Sequence, residues 1–199
     1  MENKKENNIK IIIVIIAAIF IVGILSISEI YRKYRSQKQL VQNEYNKALY
    51  ETVGYVKNVE SELAKFQVTS TKELQVTTLA SIWKQSNLAK DNFEALPFEE
   101  SSQDNTSKYL TQLSDYSYFL MKQVISDESI TDENYENISN LYTDCKNLSL
   151  VMSNIYNDLN AGNIKWDELE QKGNEELKQT KISDTISSFA QIGKTFQQY

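Results

Sequence analysis

One apolar run near the start of the chain constrains its fold more than any other feature. The run begins at Ile11, ends at Ile27 and holds 17 residues without a charge, with Ser26 its one clearly polar side chain. A helix that rises about 1.5 Å per residue would make it roughly 26 Å long, close to the bilayer core of about 30 Å. With its flanking residues the helix is long enough to span the bilayer, and Tyr31 at its end would lie at the membrane interface. The run predicts a single transmembrane anchor over residues 11–30.

A cleaved signal peptide is the main alternative to a retained anchor. Ser26 and Ser28 are small residues with one residue between them, which would allow cleavage after Ser28. The apolar part of a signal peptide usually has about 7–15 residues, and this run is longer, so a retained anchor is favoured.

The charges that flank the run leave the orientation of the anchor in the membrane open. Lysine and arginine after the run favour a cytoplasmic C-terminal part, whereas the N-terminal position of the run favours export.

The remaining composition is that of a helical protein without common catalytic groups. Only five glycines and one proline occur in 199 residues. The absence of histidine excludes Ser-His-Asp triads, Cys-His dyads and histidine metal sites, and a single cysteine excludes an internal disulfide. Residues 36–199 carry 15 Lys and Arg against 24 Asp and Glu, a net charge of −9. This acidity argues against a nucleic-acid partner.

Four amphipathic stripes follow the apolar run. Apolar residues recur at three- and four-residue steps over residues 45–66, 79–96, 109–124 and 135–159. Four stripes with three short connections predict an antiparallel four-helix bundle. The expected fold is therefore all-α: an N-terminal transmembrane helix, a bundle-like ectodomain and a C-terminal helical extension. The expected domains are a cytoplasmic tail (1–10), the anchor (11–30), the bundle (31–162) and the extension (163–199).

Local signals predict where the first helices begin and end. Gly54 lies inside the first stripe and is expected to weaken the helix without ending it. Ser70 and Glu73 fit a capping box at the start of the second helix. Pro97 predicts that this helix ends near the residue before it, and the polar residues 98–105 predict a loop.

The fourth helix has the clearest boundaries. Thr131 is expected to cap its start, and Gly162 lies where a glycine C-cap is expected. Beyond it, Trp166 is the one large apolar anchor in a weakly patterned segment. A last helical pattern runs over residues 183–196.

No catalytic, cofactor-binding or metal-binding constellation of specific spacing is found, so we expect neither an enzyme nor a cofactor. Cys145 lies on the core stripe and is expected to be buried and inert. Trp83 also lies on a stripe, which favours core packing, whereas Trp166 is open between core packing and partner contact. The aromatic residues near Tyr118 cover more than one helix face, so Tyr118 and Asp115 are the best candidates for a partner surface.

An ordered set of short segments resembles the N-terminal region of the YpeB family of spore germination proteins. After the apolar run these are NEYNKAL (43–49), IW (82–83), LP (96–97), YLTQLSDYSY (109–118), ITDENY (130–135), LY (141–142) and Trp166. The resemblance covers nearly the whole chain.

The resemblance implies a non-enzymatic, single-pass membrane protein of the endospore inner membrane, with its ectodomain on the exported, cortex side. The implied partner is SleB, a cortex-lytic peptidoglycan hydrolase, and each protein needs the other for stable presence in the dormant spore. The family continues into PepSY-type repeats, which we expect to be missing from this chain. A homodimer through the first stripe stays open. Two other functions remain: a membrane-tethered sensor with a ligand-binding helical bundle, and a hydrolase with an acid pair.

Overall fold

The computed structural model describes residues 2–98 and 100–172, with the side chains of residues 16, 19–98 and 103–169, and all regular structure in this part is helical. The helices are α1 (Glu2–Phe66), α2 (Lys72–Glu94), α3 (Glu100–Ile125), α4 (Asp132–Ala161) and α5 (Trp166–Lys172). The all-α prediction is confirmed. The helical pattern predicted over residues 183–196 lies outside the described residues.

The chain divides into two compact units, Met1–Glu44 and Tyr45–Tyr199. The first unit consists of the N-terminal part of α1, where large apolar side chains such as Ile19, Phe20 and Ile27 are exposed. Among the described residues, no helix combines the length and the apolar character needed to cross a membrane. The predicted anchor over residues 11–30 is therefore unconfirmed, and the side chains of 11–15, 17 and 18 lie outside the described part.

One hydrophobic core holds the second unit together. Each of α1 to α4 contributes the apolar face of its stripe, and α5 adds Trp166 and Leu169. Burying a large apolar side chain stabilises a fold by about 1.5–3 kcal/mol, so the shared core is the main source of stability. The largest fully buried side chains are those of Leu49, Leu63, Phe66, Leu79, Ile82, Phe93, Tyr109, Leu110, Leu113, Leu120, Ile138 and Leu141.

Contacts between side chains show that α1 and α4 run antiparallel. The ring of Tyr50 lies 5.8 Å from the ring of Tyr156, near the end of α4. The ring of Phe66 lies 5.8 Å from the ring of Tyr135, near the start of α4. Sequence position therefore increases along one helix while it decreases along the other.

The helix α3 runs antiparallel to both of its neighbours. Toward α2, Asn87 donates from Nδ2 to Oγ of Ser114 at 2.7 Å, and further along α3 the Tyr118 ring lies 5.5 Å from the ring of the earlier Trp83. Toward α4, the Tyr109 hydroxyl donates to the carbonyl oxygen of Leu141 at 2.9 Å, and the Tyr116 hydroxyl accepts from Nδ2 of the earlier Asn134 at 3.1 Å. Sequence position thus rises along α3 while it falls along each neighbour. The helix α3 thus lies between α2 and α4, and its outward surface carries the candidate site.

Two predicted helix boundaries were wrong. The N-cap of α2 is Thr71, not Ser70, because the Thr71 hydroxyl accepts a hydrogen bond from the backbone N–H of Leu74. Residues 98–105 were predicted as a loop, yet α3 begins at Glu100. The side chain of Gln103 donates to the carbonyl oxygens of Glu94 and Leu96 at 2.8 and 3.1 Å. These two bonds hold the chain after α2, and residues 100–105 form the start of α3.

The predicted boundaries of α4 are confirmed. Thr131 is the N-cap, and it forms a capping box in which the N3 residue is Asn134. Gly162 is the C-cap with φ 73°, a left-handed conformation that glycine adopts without steric cost. Gly54 lies inside α1 and does not end it, as predicted.

Candidate functional site

The outward face of α3 carries the two side chains that the sequence singled out as partner contacts. Asp115 and Tyr118 are both exposed, Tyr118 to 42%. The Tyr118 ring lies 5.5 Å from the ring of Trp83 on α2, and the ammonium of Lys122 lies 5.8 Å from the Tyr118 ring centroid. Two large aromatic rings and a cation thus form an exposed patch, which we call the aromatic patch (Trp83, Tyr118 and Lys122).

Trp83 was expected to pack in the core, and this prediction was wrong. Its side chain is 41% exposed, whereas the preceding Ile82 is fully buried. Adjacent residues on a helix are separated by about 100°, so Ile82 and Trp83 cannot both point to the centre of the core. This angular spacing was the sequence signal that Trp83 would be exposed. The core prediction instead followed the size and hydrophobicity of tryptophan.

A cavity of about 490 Å³ lies between α3 and the N-terminal part of α4. One face of α3 and the first turns of α4 provide its walls. The lining residues are Gln112, Asp115, Tyr116, Phe119, Gln123, Thr131, Glu133, Asn134 and Asn137. Sequence reasoning found Asp115 but missed the cavity, because no spacing along the chain indicates which side of α3 faces the start of α4.

A hydrogen-bonded network gives the cavity a defined shape. The Tyr116 hydroxyl accepts from Nδ2 of Asn134 at 3.1 Å and from Nδ2 of Asn137 at 3.2 Å. The Oδ1 atom of Asn134 accepts from the backbone N–H of Thr131 at 3.0 Å. Two turns of α4 are thereby connected to the middle of α3, and the polar wall is held in one arrangement.

The cavity is acidic and partly aromatic. Asp115 and Glu133 contribute carboxyl groups, and no lysine or arginine is among the lining residues. The rings of Tyr116 and Phe119 stack with centroids 6.3 Å apart and an interplanar angle of 24°. Among the described residues, no group of three or more metal-ligating side chains comes together. The lining combines hydrogen-bonding groups with aromatic surface, as small-molecule sites in proteins do.

Trp166, the third predicted contact residue, lies in the core of the second unit. Its side chain is 5% exposed, and its ring lies 5.4 Å from the ring of Tyr45. Its indole N–H donates to Oδ1 of Asn46 at 2.7 Å. Of the two roles that the sequence left open, this position corresponds to core packing, and it lies on other helices than Asp115 and Tyr118.

A second group of ionisable side chains is buried where α1, α3 and α4 meet. Cys145 is fully buried, as predicted, and its thiol lies 3.6 Å from the carbonyl oxygen of Val56. Burial, followed by the charge of Glu60, raises the pKa of the Cys145 thiol. Burial also raises the pKa of Tyr109 well above its ordinary value and that of the half-buried Asp144 to about 6. In each case burial disfavours the charged form. The thiol and the phenol are neutral at neutral pH, whereas Asp144 is ionised there at a cost in stability.

Comparison with known proteins gives a consistent result. The family described as YpeB N-terminal matches residues 33–168. The chain is similar to the sporulation protein YpeB of Halalkalibacterium halodurans, with 24% identity over 131 residues, 61% of this chain and 29% of the relative. It is also similar to the sporulation protein YpeB of Oceanobacillus iheyensis, with 18% identity over 158 residues, 75% of this chain and 35% of the relative. The chain thus spans about a third of the length of these curated relatives. No solved structure matches it.

Proposed function

This chain belongs to the YpeB family, and from that premise we propose that it is a non-enzymatic, membrane-anchored accessory protein of spore germination. In this role it holds the cortex-lytic peptidoglycan hydrolase SleB near the inner membrane of the endospore and stabilises it. The helical ectodomain lies on the exported, cortex side of that membrane.

The name of the relatives supports the biological setting. Both curated relatives are sporulation proteins, which supports a role in the spore for this chain. The partnership with SleB comes from the family resemblance of the segments quoted above. YpeB is not a known enzyme family, which supports a non-enzymatic role.

Exposed apolar side chains support the membrane anchor. In α1, the side chains of Ile19, Phe20 and Ile27 are each about two-thirds exposed. Each Å² of apolar surface left in water costs about 25 cal/mol, so a continuous run of such side chains favours a lipid environment. The uncharged sequence from residue 11 to residue 27 provides this run.

The aromatic patch is the observation that carries the partner-binding proposal. Tryptophan and tyrosine dominate the binding energy of many protein interfaces, because they bury a large apolar area and keep one polar group at the edge. Trp83 and Tyr118 lie together on neighbouring helices while remaining more than 40% exposed. Asp115, one turn before Tyr118, adds a charge that would orient the partner.

Affinity capture from spore membranes tests the proposal. The full tagged chain is expected to recover SleB, and the double substitution Trp83→Ala with Tyr118→Ala is expected to reduce recovery at least about tenfold. Leu150→Ala, which removes an exposed apolar side chain from α4, is the matched control and is expected to change nothing. If the folded chain recovers no SleB, the proposal fails.

A second candidate function is favoured by one observation. The cavity between α3 and α4, with its converging polar side chains, is the feature that a membrane-tethered sensor with a ligand-binding helical bundle requires. Saturable binding of a small ligand at the cavity, together with unchanged SleB levels in spores that lack the ectodomain, would favour the sensor over the accessory protein.

A further inference from the structure

We propose that the cavity between α3 and α4 is a binding site for an organic cation. The ligand class is a molecule with a primary ammonium or guanidinium group attached to a flat or aliphatic part. The inference stands independently of SleB binding, and it gives the sensor candidate its ligand chemistry.

The size of the cavity sets the size of the ligand. Small-molecule sites in proteins typically enclose about 300–1,000 Å³, and this cavity of about 490 Å³ lies in that range. The lining residues of α3 recur at three- and four-residue steps, so a single helix face forms one wall. A ligand of the size of an amino acid or a dipeptide would fill it.

The charge of the cavity selects a cation. The carboxyl groups of Asp115 and Glu133 come from opposite walls, and no basic side chain lines the space between them. An anionic ligand would meet two like charges, whereas an ammonium or guanidinium group would meet two opposite charges in a partly enclosed space. Electrostatic interactions are stronger there than in open water.

The aromatic wall provides a second contact for a cation. Phe119 is 52% exposed and stacks on Tyr116, with the two rings nearly parallel. The face of an aromatic ring attracts a cation within about 6 Å of its centroid. The exposed face of Phe119 would also pack against the flat or aliphatic part of the same ligand.

A buried acceptor without a partner points independently to a ligand. The Oε1 atom of Gln123 is buried and has no hydrogen-bond partner, while its Nε2 donates to Oε2 of Glu128 at 3.4 Å. Buried polar atoms are rarely left without a hydrogen bond. A ligand N–H in the cavity would supply the missing donor, so Gln123 adds a third acceptor to a lining that already carries the carboxyl groups of Asp115 and Glu133.

The hydrogen-bond network directs donors away from the ligand. Asn134 and Asn137 each donate one N–H of the side-chain amide to the Tyr116 hydroxyl, so these two donors are engaged within the wall. A carboxylate or phosphate ligand would also lie near the carboxyl groups of Asp115 and Glu133, which accept hydrogen bonds and repel an anion.

Calorimetric titration of the full chain in detergent micelles with three matched probes tests the proposal. Benzylamine carries a cation beside a flat ring, benzyl alcohol is its neutral analogue and benzoate its anionic one. We expect saturable binding of benzylamine with one site per chain, binding of benzyl alcohol at least about tenfold weaker, and no binding of benzoate. Equal affinity for benzylamine and benzyl alcohol would overturn the proposal, as would no saturation by millimolar benzylamine while circular dichroism shows a folded chain.

Substitutions locate the binding site. Asp115→Asn and Glu133→Gln are each expected to weaken benzylamine binding about five- to tenfold and to leave benzyl alcohol binding unchanged, because only a charge is removed. The exposed Asp91 on α2 lies outside the lining, and Asp91→Asn is the matched control with no expected effect. Equal effects of all three substitutions would refute the location.

Competition distinguishes the two sources of such a cation. Loss of SleB capture in the presence of benzylamine would assign the site to a lysine or arginine side chain of the partner protein. Unchanged capture with bound benzylamine would assign it to a free small molecule. Both results support the cation site. The competition rests on capture of SleB and so on the proposed function, whereas the calorimetric titration does not, so the two proposals can fail separately.

Discussion

The indole N–H of Trp166 donates a 2.7 Å hydrogen bond to Oδ1 of Asn46, a residue 120 positions earlier in the chain. The same ring packs on Tyr45. These contacts attach α5 to the second unit at the point where that unit begins along α1. A helix of seven residues is too short to be stable alone, so its position depends on this anchor.

Replacing Trp166 is therefore expected to destabilise the second unit. Trp166→Phe keeps a ring but removes the donor, and it should lower the free energy of unfolding by about 1 kcal/mol. Trp166→Ala also leaves a cavity and should lower it by about 3 kcal/mol. Urea denaturation followed by circular dichroism measures both effects. Trp83→Phe, at an exposed site, is the control and should change stability by less than about 0.5 kcal/mol.

The two glycines Gly54 and Gly162 should respond to alanine with opposite signs. Gly54 lies in the middle of α1, and an added Cβ would meet nothing within 4 Å, so Gly54→Ala should stabilise the chain by about 0.5–1 kcal/mol. Gly162 has φ +73°, where a side chain costs about 1–2 kcal/mol, so Gly162→Ala should destabilise it. Thermal unfolding compares the two variants. A gain in stability with Gly162→Ala would contradict the left-handed C-cap.

The stability of the protein should depend on the ionisation of Asp144. Burial raises the pKa of Asp144 from 3.8 to about 6, so the native state binds this proton more tightly than the unfolded chain does. The free energy of unfolding should therefore fall as the pH rises from about 4 to about 6, and then stay level. Because the side chain is half exposed, the loss should be only about 1 kcal/mol.

The substitution Asp144→Asn tests this dependence. It should raise the free energy of unfolding by about 1 kcal/mol at pH 7.5 and have little effect below about pH 4, because only the ionised carboxylate is unfavourable. Asp91→Asn, at an exposed position of α2, is the matched control. A gain of equal size at both pH values would show that charge on Asp144 is not the cause.

The thiol of Cys145 should be unreactive in the folded protein. It is fully buried, and its pKa is raised, while the thiolate is the reactive form. Modification by a thiol reagent at pH 8 should be roughly a hundredfold slower than in urea, because it requires local opening of the core. The chain has a single cysteine, so the measured rate reports this position alone. Native labelling at the rate found in urea would contradict the burial.

Features set by local chemistry were predicted well from the sequence. Thr131 and Gly162 each satisfy backbone groups within a few residues, so they could be assigned without knowing the fold. The predicted start of α2 was wrong by one residue because Ser70 and Thr71 are both good N-cap residues. In the structure Thr71 is the N-cap. The first turn of α3 was missed because the Gln103 contacts with Glu94 and Leu96 depend on the turn itself.

The candidate site was predicted only in part. The exposure of Asp115 and Tyr118 was predicted because aromatic residues on two faces of one helix cannot all be buried, and their role as partner contacts stays a prediction. The exposure of Trp83 depends on how far α2 and α3 cover each other, and the cavity depends on where the first turns of α4 meet α3. Both are tertiary relationships, to which neighbouring residues in the sequence provide no direct signal.

Asn134 connects the start of α4 to the wall of the cavity. Its Oδ1 completes the capping box with the Thr131 N–H, and its Nδ2 bonds the Tyr116 hydroxyl. Unwinding of the first turn of α4 would therefore remove one wall of the cavity in the same event. Deuterium uptake at the amides of residues 133–137 therefore reports whether this wall of the cavity is formed. A cation bound in the cavity would slow that uptake, and unwinding of the first turn would release the cation.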